Sequence, residues 1–376
     1  MNNQKLSKVI DTMRLPLIFL VIIAHLVPFT LQNVNFSPNG NDLYVLFSEM
    51  FSHHIAKLSV RCYFLVSGYY FFNKYSGEII SFYKRQCKSR LRTLVRPYII
   101  WNLVMILAIF SKNYIFSKLG WDTDEIFLFH IESDVYRVFW AVPINFPLWF
   151  VRDLICMVII SPLILYYIRY FKHIGIIFLG ILYMAAIEPD IPGFSMSAIF
   201  FFSLGAYFSL EKKDLLLVFN KLKYPALIVM LMFLVYSLSR NGKFGQEHIL
   251  RIFIVSGVIT IFNLFSFMND KYVFMNRLTG YSSLSFFIYV IHEIYVINWL
   301  KGFFYNLPMF QYGWGRLIIY FTIPIVCITI CTGLYSLLMK LSPKLLIYSL
   351  GGRLPNYNKY QGASEKESQG QGKIPV

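Results

Sequence analysis

The sequence predicts an all-α integral membrane protein of about ten transmembrane helices with both termini cytoplasmic, and three observations predict it. Of 376 residues, 57% are hydrophobic and 14% charged, and the mean hydropathy of +0.56 lies above what a soluble domain carries. Apolar segments of spanning length recur along the chain. The loops between them alternate between basic and base-poor, as the positive-inside rule requires. The net charge of +16 is interleaved with these apolar runs and forms no compact basic domain, which argues against a nucleic-acid partner and for a lipid bilayer.

In chain order, the first segment, 15–31, follows Lys5, Lys8 and Arg14 as a signal peptide would, but no small-residue cleavage site follows it. It therefore reads as a retained span. Segments 55–73, 97–116 and 147–168 come next, then 174–187, which is shorter than the roughly 17–25 residues usually needed. Segments 194–210, 224–238, 248–268, 283–300 and 316–339 complete the ten. With a cytoplasmic N-terminus, the inside loops hold Lys74 and Lys84 to Arg96, then Arg169 and Lys172, then Lys212 to Lys223, then Lys271 and Arg277. The longest outside loop, about 118–146, carries Asp122, Asp124, Glu125, Glu132 and Asp134. A miscounted span would invert every later loop. The reading gives a membrane domain over 1–345 and a disordered cytoplasmic tail over 346–376, rich in Gln, Gly, Ser and Lys.

Five cysteines, Cys62, Cys87, Cys156, Cys327 and Cys331, show no CxxC spacing, so neither a disulfide framework nor a metal site is expected. Cys327 and Cys331 share a helix face as small packing residues.

The embedded ionisable residues carry the chemistry. Arg14 and His25 are eleven positions apart, three turns plus roughly 20° on a helix, so both project from nearly one face about 16 Å apart. Arg14 falls at the cytoplasmic interface and His25 near mid-bilayer, where an ionisable group is by default functional. The plainer alternative is a neutral histidine hydrogen-bonded to a neighbouring helix. In the ninth segment, His292 and Glu293 lie at a similar depth. Two histidines and a carboxylate at one level suit general-base activation of a hydroxyl; alternatively Glu293 only balances a buried arginine.

Toward the outer side lie Lys57 and Arg61 on a stripe with His54, Arg152 beside Asp153, and Arg251. They suggest a polar cavity for an acceptor substrate and supply candidate oxyanion donors, unless Lys57 and Arg251 merely snorkel. On the cytoplasmic side, "YKRQCKSRLRTLVRPY" holds six basic residues, Arg85, Arg90 and Arg92 among them. They either bind anionic headgroups and set topology, or grip a polyphosphate together with Arg14.

The stretches "IDTMRLPLIFLVIIAH", "YFLVSGYYFF", "RLRTLVRPYIIWN", "PLWFVRDL", "FFSLGAYFS" and "SLSFFIYVIHE" resemble, in order and spacing, the membrane-bound acyltransferase 3 family over roughly residues 10–340. Leu15 and Pro16 stand where that family commonly has glycine and a small residue. The resemblance implies transfer of an acyl group, commonly acetyl, from coenzyme A to a carbohydrate hydroxyl of a cell-envelope glycan, in the bacterial inner membrane and without a metal. Under it, Arg14 and His25 take the motif positions, and Arg90 with Arg92 match the basic motif after the second span. Coenzyme A carries phosphates at one end and the thioester at the other, so an interfacial clamp and a base about 16 Å inward suit its two ends. A secondary transporter or glycan flippase, with His25 and Glu293 relaying protons, is the alternative class, and a non-catalytic membrane scaffold a third.

Overall fold

In the computed structural model, residues 2–121 and 135–353 are described. The expected acidic residues Asp122, Asp124, Glu125, Glu132 and Asp134, and the tail from 354 onward, lie outside the described residues. Helices form every regular element among them: α1 (Asn2–Ala24), α2 (Gly40–Ser48), α3 (Lys57–Phe72), α4 (Ile79–Arg90), α5 (Arg96–Lys118), α6 (Trp149–Ile159), α7 (Ser161–Met184) and α8 (Met196–Leu210). α9 (Leu215–Lys221), α10 (Lys223–Ser239), α11 (Gln246–Lys271), α12 (Ser282–Ile291), α13 (Ile297–Tyr305), α14 (Gly313–Leu341) and α15 (Pro343–Ser349) follow. Wider π-type turns at Glu49–Ile55, Leu91–Val95 and His292–Val296 join several of them.

All ten apolar segments fall on helices, but their bounds shift for local reasons. α1 begins well before residue 15, because Leu6, Val9, Ile10 and Met13 form a buried stripe that the charges between them conceal in a hydropathy window. It passes through Pro16 and stops at Ala24. Pro28 has no N–H, and its ring would clash with the carbonyl of residue 24 if the helix continued. The segments 147–168 and 174–187 are divided differently: α6 ends at Ile159 before Pro162, and α7 is broken at Lys172, whose φ of 48° is left-handed. Residues 346–353, placed in the tail by composition, include the end of helix α15, with Leu346 and Leu350 buried.

Among the described residues, five helical stretches are long and apolar enough to cross a membrane, six if α9 and α10, bent by 68°, count as one span. The chain is a multi-pass membrane protein. Leu107 and Phe110 of α5 and Ile228, Met232 and Val235 of α10 are exposed, a surface suited to lipid. Inside the bundle, α1 packs against α3, α11, α12 and α14, and α3 against α8. Lipid removes the hydrophobic drive between helices, so close contact through small residues takes its place. At the α3–α8 crossing a Cβ on Gly68 would stand 2.0 Å from the Phe202 carbonyl oxygen, and one on Gly205 1.9 Å from that of Leu65.

Candidate functional site

The end of α1 and the break after α12 meet. His25 is the first residue past α1, its backbone N–H bonding Ile22 at 3.0 Å. At the facing break, Ile294 (ψ 75°) and Tyr295 (φ 61°) leave the helical range. A non-glycine residue held left-handed costs about 1–3 kcal/mol, and such strain gathers at functional sites. No proline or glycine imposes the break. Tyr295 stacks on Trp299 with 5.7 Å between ring centroids, and the break turns Glu293 toward His25.

His25 Nδ1 lies 2.9 Å from Glu293 Oε1. A carboxylate accepts only, so the Nδ1–H donates to it, and in the neutral ring the lone pair sits on Nε2. His292 is fully buried with its ring 5.3 Å from that of His25. Its Nδ1–H donates to the Ile288 carbonyl at 3.1 Å, and its Nε2 has no partner among the described residues. The side chains of His25 and Glu293 remain 10% and 19% exposed, so a substrate can reach them. The donor atoms of His25, His292 and Glu293 lie within 4.8 Å of one another, a spacing at which a metal ion could also be held.

Residues that sequence reading did not single out hold this geometry. Lys301 Nζ donates to the His25 carbonyl at 2.8 Å, and Tyr305 to that of Leu26 at 3.0 Å. His53 bridges the Glu49 carboxylate at 2.7 Å and the Pro28 carbonyl at 3.0 Å, anchoring the chain after His25 from the other side. Buried Asn145 bonds Val290 at 2.9 Å and Asn102 at 3.2 Å, placing its neighbour Phe146 edge-on to His25 at 6.0 Å. A polar residue in an otherwise apolar stretch was the available signal for Asn102, whereas Asn145 lies in the expected outside loop, and pairing over such sequence distances is not readable from one chain.

A cavity of about 240 Å³ runs beside this group between α1, α3, α6 and α12. Ile10, Met13, Arg14, Leu17, Ile18 and Val21 give it one face of α1. Arg14 and Arg90 line it, joined by Arg353. Toward the histidines the lining ends at Val21, one turn before His25, and at Tyr289, whose ring is 6.5 Å from that of His292. Arg85 and Arg92 do not line the cavity; both are exposed, and Arg85 donates to the Lys74 carbonyl at 3.4 Å.

The expected acceptor residues lie apart from this cavity and are largely engaged with protein. Arg152 forks onto Asp153 at 2.7 and 3.0 Å and also holds the carbonyls of Trp140 and Ala141. Asp153 in turn accepts from Ser195 at 2.8 Å. Arg61 donates to Ser197 and to the Lys57 carbonyl, leaving its buried Nε without a partner among the described residues. Arg251 pairs with Glu188 at 2.6 Å and Glu247 at 3.0 Å. Such engagement makes Arg152 a clamp on its own loop, unsuited to stabilising a transient oxyanion.

Two comparisons bear on this arrangement. Residues 8–336 match a family described as an acyltransferase domain. The chain is also 26% identical over 358 residues to the succinoglycan biosynthesis protein ExoH of Rhizobium meliloti (strain 1021), with 92% of each chain covered. No solved structure matches it.

Proposed function

The chain belongs to the acyltransferase 3 family, and from that premise we propose that it transfers an acyl group, acetyl in the first instance, from cytoplasmic acyl-CoA to a hydroxyl of a cell-envelope polysaccharide or lipid-linked glycan. The similarity to a succinoglycan biosynthesis protein supports a glycan acceptor. In this reading the chain crosses the bacterial inner membrane ten times with both termini cytoplasmic. Residues 1–345 are the membrane unit, and the tail begins with the segment that docks beside α5. The observation that carries the reading is the His25–Glu293 pair beside one end of a cavity whose other end is lined by arginines.

The chemistry follows from the tautomer. With its Nδ1–H held by Glu293, His25 offers Nε2 as a base to the acceptor hydroxyl. The hydroxyl oxygen attacks the thioester carbonyl as its proton moves to Nε2, and a tetrahedral intermediate forms. Its collapse breaks the C–S bond, and the departing thiolate takes the proton from His25, leaving an ester and free coenzyme A. Glu293 stabilises the transient imidazolium and fixes the ring. His292, whose Nδ1–H is spent on Ile288, presents an acceptor, so it serves as a neighbour that shapes the site. Phe29 and Phe146, both partly exposed at the edges of the His25 ring, offer apolar faces for a sugar.

The break at His292–Val296 is also a feature of transporters, whose broken helices meet at substrate sites. Purified protein mixed with acetyl-CoA separates the two readings. An acyltransferase releases coenzyme A thiol, faster when a glycan acceptor is added; a flippase releases none.

A further inference from the structure

Three guanidiniums line the cavity at its basic end: Arg14 of α1, Arg90 at the end of α4, and Arg353 from the segment after α15. Among the described residues no carboxylate lines it. Asp11, on the same helix as Arg14, reaches Arg14 at 3.5 Å, while neither Arg90 nor Arg353 forms an ion pair among the described residues. Arg90 Nε is buried without a partner among them. Like charges gathered where water is scarce repel one another, and a multiply charged anion offsets that repulsion.

The chain is built to deliver Arg353 to this place. After α15, Gly351 and Gly352 both take left-handed φ values, 73° and 81°, which turn the backbone inward. A Cβ on Gly351 would come within 2.8 Å of the Arg92 carbonyl oxygen, so the turn lies directly on the basic stretch. Trp101 Nε1 donates to the Ser349 carbonyl at 3.2 Å, and Arg96 covers the Tyr348 ring at 4.0 Å. Arg353 then donates to the carbonyls of Leu350 at 2.7 Å and Thr93 at 3.1 Å, its guanidinium 3.8 Å from the centre of the Phe286 ring. Two of its five N–H donors are thereby used, and three remain.

We propose that Arg353 is a donor-binding residue: together with Arg14 and Arg90 it grips a phosphate of the acyl-CoA, so the C-terminal segment completes the donor site. This rests on the acyl-CoA reading above. Residue 353 lies beyond the stretch matched by the family, which ends at 336. The pairing of Arg with phosphate is charge-assisted and bidentate, whereas a lysine offers only a point charge.

The test compares acetyl-CoA with S-acetylpantetheine, which carries the same thioester and no phosphate, in the full-length protein. Arg353→Gln is expected to raise KM for acetyl-CoA about tenfold with kcat nearly unchanged, and to leave kcat/KM for S-acetylpantetheine alone. Arg353→Lys is expected to fall between. An equal loss with both donors means that Arg353 only holds the fold, and no loss with either means that it does not meet the phosphates; each result overturns the proposal. A wild-type protein that turns over neither donor overturns the acyl-CoA reading itself, a result distinct from the other two.

Discussion

In the proposed mechanism His25 acts as a base only while its other nitrogen is held, so the partners of the ring matter as much as the ring. Glu293→Gln keeps the shape but removes the charge that stabilises the imidazolium. It is expected to lower kcat about a hundredfold while acyl-CoA affinity stays within about twofold, measured by thiol release and calorimetry. A variant with wild-type kcat would return Glu293 to simple charge balance. Lys301→Met frees the His25 carbonyl and should cost a smaller, several-fold loss in kcat, since only one charge-assisted hydrogen bond is removed. At this scale much was legible. His25, His292 and Glu293 are costly residues in apolar stretches, and cost marks them. Arg14 at the interface and Arg90 in the basic stretch before the third span both line the cavity, but Arg85 and Arg92 of that stretch turn outward, because only one side of a helical turn can face the cavity. Arg353 was hidden in a polar segment whose composition reads as tail, and its place in the cavity lining follows a turn made by two glycines.

The helices meet where side chains are absent. At the α3–α8 crossing Gly68 and Gly205 allow backbone to touch backbone, and this crossing positions α3 beside α1. Gly205→Leu is expected to lower the thermal midpoint of the detergent-solubilised protein, by overpacking worth about 1–3 kcal/mol or more. Gly333→Leu, on α14 with open space where its Cβ would be, should leave it unchanged. Equal midpoints for the two variants would contradict the packing account. Helix existence was readable from hydropathy, since each apolar segment falls on a helix. The ends were not: the first apolar run carries on to residue 31, past Pro28, whereas α1 stops at Ala24. Nor were the breaks at Lys172 and Ile294–Tyr295, because no proline or glycine stands at them.

Across the whole molecule, the expected topology rests on loop charge, and in the proposed reading the cavity takes the donor between its arginines and the histidine pair. A reporter fused after Val376 is expected on the cytoplasmic side and one inserted near Asp124 on the outer side. Both on one side would mean that a span between them is miscounted. The site also makes a statement about metal. His25, His292 and Glu293 lie close enough to hold an ion, yet the proposed chemistry uses the free lone pair of His25. Prior treatment with a strong chelator should therefore leave the rate unchanged, and loss restored by zinc would assign the lone pairs to a metal. The central claim is that His25 moves the proton while the arginine-lined cavity holds the donor. The most direct measurement is acetyl-CoA-dependent transfer by His25→Gln in membranes containing equal amounts of wild-type or variant protein, with acyl-CoA binding measured on the same preparations. The account predicts a loss of about a hundred- to ten-thousand-fold in transfer with binding retained; near wild-type transfer by His25→Gln would contradict it.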